Sequence, residues 1–274
     1  MTDLSKASRI AEQAVCAAGA HLQASRSRLA AAVVTHETPV DIVRAICDEV
    51  RALVRDVVRR SFPDHGFFSG AVDEATASAS DPGLPVWVAQ PLDGRANYLR
   101  GYPQYAATIA LVQHGEPLLG AVYDPCRNEF FGAIRGRGAV LNGAAIRCAA
   151  PRPALEAIAA TVFPRPAGRN MAPYITEFGR VLRGFGGVRR SGSTALELAY
   201  LAAGRLDAFW AHEISAWRAA AGIVLLRESG ALIEARDGPS LTAGGSLVAS
   251  TPGAREPLLS LLAHPRQPRS PEVA

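Results

Sequence analysis

Apolar residues recur at helical spacing in two long stretches at the start of the chain. Over residues 3 to about 32 they fall at Ile10, Ala14, Ala17, Ala18, Leu22 and Leu29, and over about 42 to 60 at Ile42, Ile46, Val50, Leu53, Val54 and Val57. Two amphipathic helices are predicted. From His65 to Leu141 the texture changes to short β-rich runs (FF, VWVA, YAATIALV, LLGAVY, EFFGAI) separated by Gly, Pro and Asn turns such as RGRG and LNG. This block reads as an antiparallel sheet. After Pro151 and Pro153 the pattern alternates: a strand over 156–162, helix 172–184, strand 186–190, helix 194–203, strand 206–210, helix 216–229, strands near 231–235 and 246–250, and a last helix over 253–262. The chain thus divides into an N-terminal α+β half, 1–150, and a C-terminal α/β half, 151–263. The remainder, 264–274, reads HPRQPRSPEVA and is too polar and proline-rich to support a core, which predicts a disordered tail.

Composition narrows the function classes. With 274 residues, 49% of them apolar, the chain is long enough for one large globular unit or two closely packed halves. An excess of 29 basic over 25 acidic side chains leaves only +4, dispersed along the sequence, so direct nucleic-acid binding is not expected. Lys6 is the only lysine, and the remaining positive charge is guanidinium. The four cysteines, Cys16, Cys47, Cys126 and Cys148, form no C-x-x-C pair and have no histidine cluster beside them, so neither a zinc site nor a disulfide framework is predicted. Neither a secretory leader nor a membrane span is recognisable, and a soluble cytoplasmic protein is expected.

The most informative stretch runs from Val86 to Tyr98. A hydrophobic strand, Val86-Trp87-Val88-Ala89, leads into Gln90-Pro91-Leu92-Asp93-Gly94, so a carboxylate is delivered at a strand end where the backbone must turn, which is where α/β proteins place ligands. Taken alone, Asp93-Gly94 reads equally well as a simple turn. A second candidate is Gly192-Ser193-Thr194-Ala195, which opens a helix. There free N–H groups and the helix dipole favour an anion, and Ser193 or Thr194 serves equally well as a plain N-cap.

Five separated segments agree in type and order with one family. FPDHGFF from Phe62, PLDG followed by NYLRGYP from Asn97, YDP with NEFFGAIRGRGAVLNG from Tyr123 to Gly143, RRSGSTALELAYLAAGRLDAFW from Arg189, and AWRAAAGIVLLRESGALI from Ala216 together resemble the inositol monophosphatase family over about residues 7–262. The resemblance implies a layered αβαβα sandwich, a homodimer, and in active members Mg²⁺-dependent hydrolysis of inositol or sugar phosphates. Family members hold Mg²⁺ on a Gly-Glu-Glu after the first strand, on both aspartates of Asp-Pro-(Ile/Leu)-Asp-Gly-Thr, and on the aspartate of a Trp-Asp pair opening a late helix. Such hard oxygen ligands suit a cation that activates water and neutralises phosphoryl charge.

Compared with that pattern, the chain reads Ser69-Gly70-Ala71 for the Gly-Glu-Glu, so Gly70 stands at the first glutamate. The first aspartate is Gln90, the second survives as Asp93, the threonine is Arg95, and the Trp-Asp pair is Trp217-Arg218. The upstream Asp-x-Val-Thr-x-x-Asp becomes Asp41 through Cys47, losing its outer acid. Only Asp93 and the carbonyl of Leu92 remain as metal-ligand candidates. Asp73 and Glu74 could restore one ligand if the alignment slips, but not those at Gln90 or Arg218.

The leading expectation is therefore a member of this fold whose Mg²⁺ site is dismantled, weak or inactive as a phosphatase, without a cofactor, and binding a small anionic ligand such as a phosphate ester through Gly94, Arg95, Ser193, Thr194 and Arg218. Arg95 and Arg218 are expected to pair with Asp93. One alternative is a working Mg²⁺-dependent inositol or sugar phosphate phosphomonoesterase with Asp93 as its catalytic carboxylate. The other is a non-catalytic, protein-binding regulator, since one bacterial branch of the family acts through contacts with the transcription machinery. His65, in the Phe-Pro-x-His segment, reads as structural. His212 lies near the family's sugar contact, whose acid is replaced by Ala211, with Glu213 two residues on.

Overall fold

The computed structural model describes residues 2–29, 38–70, 83–164, 168, 170–236, 241 and 245–263. The predicted tail, together with Asp73 and Glu74, lies outside them.

Helix α1 (Leu4–Ala24) buries Ala7, Ala11, Ala14, Val15, Ala18 and Leu22 along one stripe, and the Asp3 side chain caps its first amides. It ends at Ala24, Ser25 forms a turn, and helical residues resume over 26–29; the rest of the predicted stretch, toward 32, lies outside the described residues. Helix α2 (Pro39–Ser61) begins earlier than the apolar periodicity indicates, because Thr38 caps it and Pro39 fits a position where no amide bond is lost.

A seven-stranded sheet follows in sequence order: β1 (Gly66–Phe68), β2 (Val86–Asp93), β3 (Ala106–Gln113), β4 (Glu116–Asp124), β5 (Glu129–Ile134), β6 (Ala139–Leu141) and β7 (Ala144–Ile146). All neighbours are antiparallel except β1 and β2, which run parallel, so the sheet is mixed and extends beyond Leu141. A short helix, α3 (Arg95–Arg100), leaves the end of β2 between two left-handed glycines, Gly94 and Gly101.

The second sheet has the order β11 (Leu232–Ala235), β12 (Gly245–Ser250), β10 (Ala208–Ile214), β8 (Ile158–Thr161), β9 (Gly187–Arg189). Four helices alternate with these strands: α4 (Met171–Gly184), α5 (Thr194–Ala202), α6 (Ala216–Ser229) and α7 (Arg255–Leu262). Strand β10 runs past the predicted end at 210. Its pairing with β12 shifts between Ala211 and Ile214, and Glu213 adopts a positive φ of 56°, an irregularity that breaks the alternating pattern.

Alternation of side chains stacks these elements into five layers. In β3, Ala107, Ile109 and Leu111 face α1 and α2, while Ala106 and Ala110 face α5 and α6. In β10, Phe209 and Ala211 meet the same central helices, and Ala208 and Trp210 turn outward to a cluster with Tyr174 and Val181 of α4 and Leu258 and Leu262 of α7. The order is helices, sheet, helices, sheet, helices. The central pair is apolar nearly all round because both of its faces are covered. Among the described residues, no helix is long and apolar enough to cross a membrane.

Candidate functional site

The carboxylate of Asp93 sits at the C-terminal end of β2, fully buried, where the strand's register breaks between Gln90 and Asp93. Gly94 follows at φ 80°, and a Cβ there would lie 2.7 Å from the Gln104 carbonyl, so both the turn and the close approach require glycine.

Four donors converge on this carboxylate. The Ser193 hydroxyl and the Ala195 N–H donate to Oδ2 at 2.7 and 2.8 Å. The Gln90 side-chain amide donates to Oδ1 at 2.8 Å, and the Arg218 guanidinium lies 3.3 Å from the same oxygen. Asp93 is thus itself the anion at the N-terminus of α5. Ser193 also caps that helix, accepting from Leu196 N–H at 3.3 Å, and is fully buried. Two of the amides at this helix start, those of Ala195 and Leu196, are therefore already engaged by Asp93 and Ser193, and Ser193 lines neither cavity. Thr194 does line a cavity.

Arg95 is not paired with Asp93. Its guanidinium points to the thiol of Cys47, at 3.8 Å, and among the described residues no carboxylate lies within ion-pair distance of it. Burial pushes the Cys47 thiol up from its ordinary pKa, more than the neighbouring Arg95 lowers it, so the sulfur is a neutral, weak acceptor.

The orientation of Gln90 is dictated by its neighbour. Its NH₂ faces the Asp93 carboxyl group, which leaves the buried carbonyl Oε1 without a hydrogen-bond partner among the described residues. The buried Nε of Arg218 also lacks one. Both residues line a cavity of about 470 Å³ together with Cys47, Arg51, Gly70, Leu92, Gly94, Arg95 and Trp217. The structure thus brings together Gly70, Gln90, Leu92, Gly94, Arg95 and Arg218, from three separate segments. Three guanidiniums face this space, of which Arg51 is paired with Asp48 at 2.6 Å. Among the described residues, no group of three or more His, Cys, Asp or Glu side chains is disposed to hold a metal ion.

A second cavity, of about 340 Å³, adjoins the first and shares Ser215 and Arg218 with it. Its walls include Phe163, Arg190, Thr194, His212 and Glu213.

Two buried acids escape a reading by spacing. Glu197, one turn into α5, accepts from both the amide and the hydroxyl of Ser191, at 2.7 and 2.8 Å. Burial outweighs those bonds and pushes its pKa up to about 8, so the side chain is a neutral acid at pH 7. Glu177 of α4 is fully buried and accepts at 2.7 Å from His212 Nε2 and at 2.9 Å from Arg236. Burial raises its pKa, but these two partners outweigh it and leave the pKa lowered. His212 Nδ1 lies 3.2 Å from the Ser246 hydroxyl, so both ring nitrogens are engaged in tying β10 to α4 and β12. The visible signal for Glu177 is an acid on the helix face that carries Tyr174 and Val181. Glu213 is turned aside, its Oε1 accepting from Asn170 at 2.6 Å. His65 accepts from Trp87 Nε1 at 3.0 Å and stacks on Phe62, which fits the structural role expected for it.

The chain is a member of the inositol monophosphatase family, matching it over residues 3–266. Among its relatives, an inositol-1-monophosphatase of Rhizobium meliloti is 33% identical over 86% of this chain and 88% of its own length. The Nus factor SuhB of Escherichia coli is 36% identical over 77% of this chain and 79% of its own. Among solved structures, the inositol monophosphatase of Anabaena (Nostoc) sp. superposes with a TM-score of 0.81 at 31% identity, covering 95% of this chain and 96% of that one.

Proposed function

We propose that the cleft around Arg218 binds a small phosphate-bearing or other anionic ligand through guanidinium groups rather than through Mg²⁺, and that hydrolysis is weak or absent. In this reading Gly70, Gln90 and Arg218 stand where metal-binding carboxylates would be needed. The observation that carries it is the environment of Asp93.

Mg²⁺ takes about six oxygen ligands at about 2.1 Å and releases its water reluctantly. Among the described residues, the groups beside Asp93 do not fit it. Both carboxylate oxygens already accept from protein donors, and one of those donors is a permanent cation, so a divalent cation at Oδ1 would have to displace Arg218 against its charge. Of the further ligand candidates read from the sequence, Asp73 and Glu74 lie outside the described residues, and the Leu92 carbonyl alone does not make a coordination shell. The same guanidiniums that oppose a cation favour a phosphate, to which arginine presents a planar pair of donors.

A phosphate-release assay on inositol 1-phosphate and glucose 6-phosphate, run while Mg²⁺ is titrated into metal-stripped protein, tests this. No heat from Mg²⁺ and no Mg²⁺-dependent release from folded protein support the proposal. Saturable Mg²⁺ binding with turnover overturns it in favour of the second reading, a working phosphomonoesterase. That reading draws on the 33% identity to a protein named inositol-1-monophosphatase.

A further inference from the structure

The two cavities meet at Arg218, and each carries its own unpaired arginine. In the first, that residue is Arg95. In the second it is Arg190, whose guanidinium lies 4.4 Å from the centre of the Phe163 ring. Among the described residues, no carboxylate lies within ion-pair distance of Arg95 or of Arg190. The acid nearest in sequence to Arg190 on α5, Glu197, is neutral at pH 7 and bonded to Ser191. Glu213, on the wall of the second cavity, is held by Asn170. Arg190 is exposed, and among the described residues its guanidinium is placed by the stacking on Phe163 alone.

Two buried atoms beside the first cavity lack hydrogen-bond partners among the described residues: the carbonyl oxygen of Gln90, a residue 6% exposed that lines this cavity, and the Nε of Arg218. Arg218 is held on Asp93 through a terminal nitrogen, at 3.3 Å, and borders both spaces.

Building on the anion-binding reading, we infer that the cleft takes one molecule with two separated anionic groups. A phosphoryl group lies against Arg95 and Arg218 in the first cavity, and the second anionic group lies against Arg190 in the second cavity. Together the cavities offer about 470 and 340 Å³, within the size range of small-molecule sites.

Calorimetric titration of metal-stripped protein at fixed ionic strength, with glucose 1,6-bisphosphate, glucose 6-phosphate and inorganic phosphate, tests this. The bisphosphate is expected to bind at least about tenfold more tightly than glucose 6-phosphate, and Arg190→Ala to bring the two within about twofold of each other. The control Arg59→Ala, which removes the same charge from an exposed site on α2, is expected to keep the preference. Unchanged thermal unfolding of Arg190→Ala without ligand establishes that the loss is local. Equal affinity for both sugar phosphates in the native protein, or a preference that survives Arg190→Ala or disappears in Arg59→Ala, overturns the two-ended ligand. Those outcomes leave single-phosphate binding standing, whereas no binding of any of the three ligands overturns both readings.

Discussion

At the residue scale the cleft is organised around Asp93. It is a buried anion with two neutral side-chain donors, a helix amide and a guanidinium around it, and none of these has an alternative acceptor in place. Asp93→Ala is expected to cost about 3 kcal/mol of unfolding free energy in urea denaturation, since it leaves three donors and a charge without an acceptor. Because Arg218 is 40% exposed, its share is small, and the coupling between Asp93→Ala and Arg218→Leu in a double-mutant cycle should be only about 1 kcal/mol. Glu197 gives the pH dependence. Its folded pKa is raised from the ordinary 4.5 to about 8, so the folded state holds a proton that the unfolded chain releases. Its stability contribution is full below about 4.5 and is lost as pH rises through about 8. Glu197→Gln, which keeps the acceptor for Ser191 but cannot ionise, should flatten the stability profile across that window. The difference from the native protein reaches a few kcal/mol at its alkaline end. An identical pH profile for the two proteins would count against this assignment.

The residues facing the ligand were easier to read from sequence than the residues behind them. In the proposed reading, Gln90 and Arg218 depart from a family pattern that Asp93 keeps, and a comparison of that kind needs no coordinates. Glu197 and Glu177 lie on helix faces that periodicity marks as buried, but periodicity cannot tell that one acid there is neutral and the other is paired with His212 and Arg236. The target of Arg95 was equally hidden. Its neighbour Cys47 comes from a helix nearly fifty residues upstream, and no local pattern states which way a long side chain turns.

At the scale of elements, the period of two in β3 and β10 sorts the layers, and that much follows from alternation in the sequence. Contacts between layers depend on glycines whose purpose only the packing shows. A Cβ at Gly120 in β4 would stand 2.5 Å from the Ala221 carbonyl oxygen and 2.7 Å from its Cα in α6, backbone atoms that cannot rotate away. Gly120→Ala is accordingly expected to destabilise by about 2 to 3 kcal/mol in thermal or urea unfolding. Gly115→Ala, where nothing lies within 4 Å of a Cβ but φ is +75°, should show a smaller loss of about 1 kcal/mol from backbone strain alone. Helix α3 escaped the pattern because six residues are too few to establish a period, and its boundaries are set by two glycines at positive φ.

For the whole molecule, the five-layer order places the ends of β2 and β10 and the starts of α5 and α6 beside one another, although they come from both halves of the chain. Among the described residues, no three His, Cys, Asp or Glu side chains gather there to hold a metal ion. The residues that meet there place one saturated aspartate under three guanidiniums, with a neutral amide between them. The most direct test of this arrangement is the affinity for inorganic phosphate, measured by calorimetry in EDTA and again with millimolar Mg²⁺. The account predicts phosphate binding in EDTA that Mg²⁺ leaves unchanged, that weakens as ionic strength rises, and that falls about tenfold or more in Arg95→Ala. Phosphate binding that appears only when Mg²⁺ is supplied would contradict it.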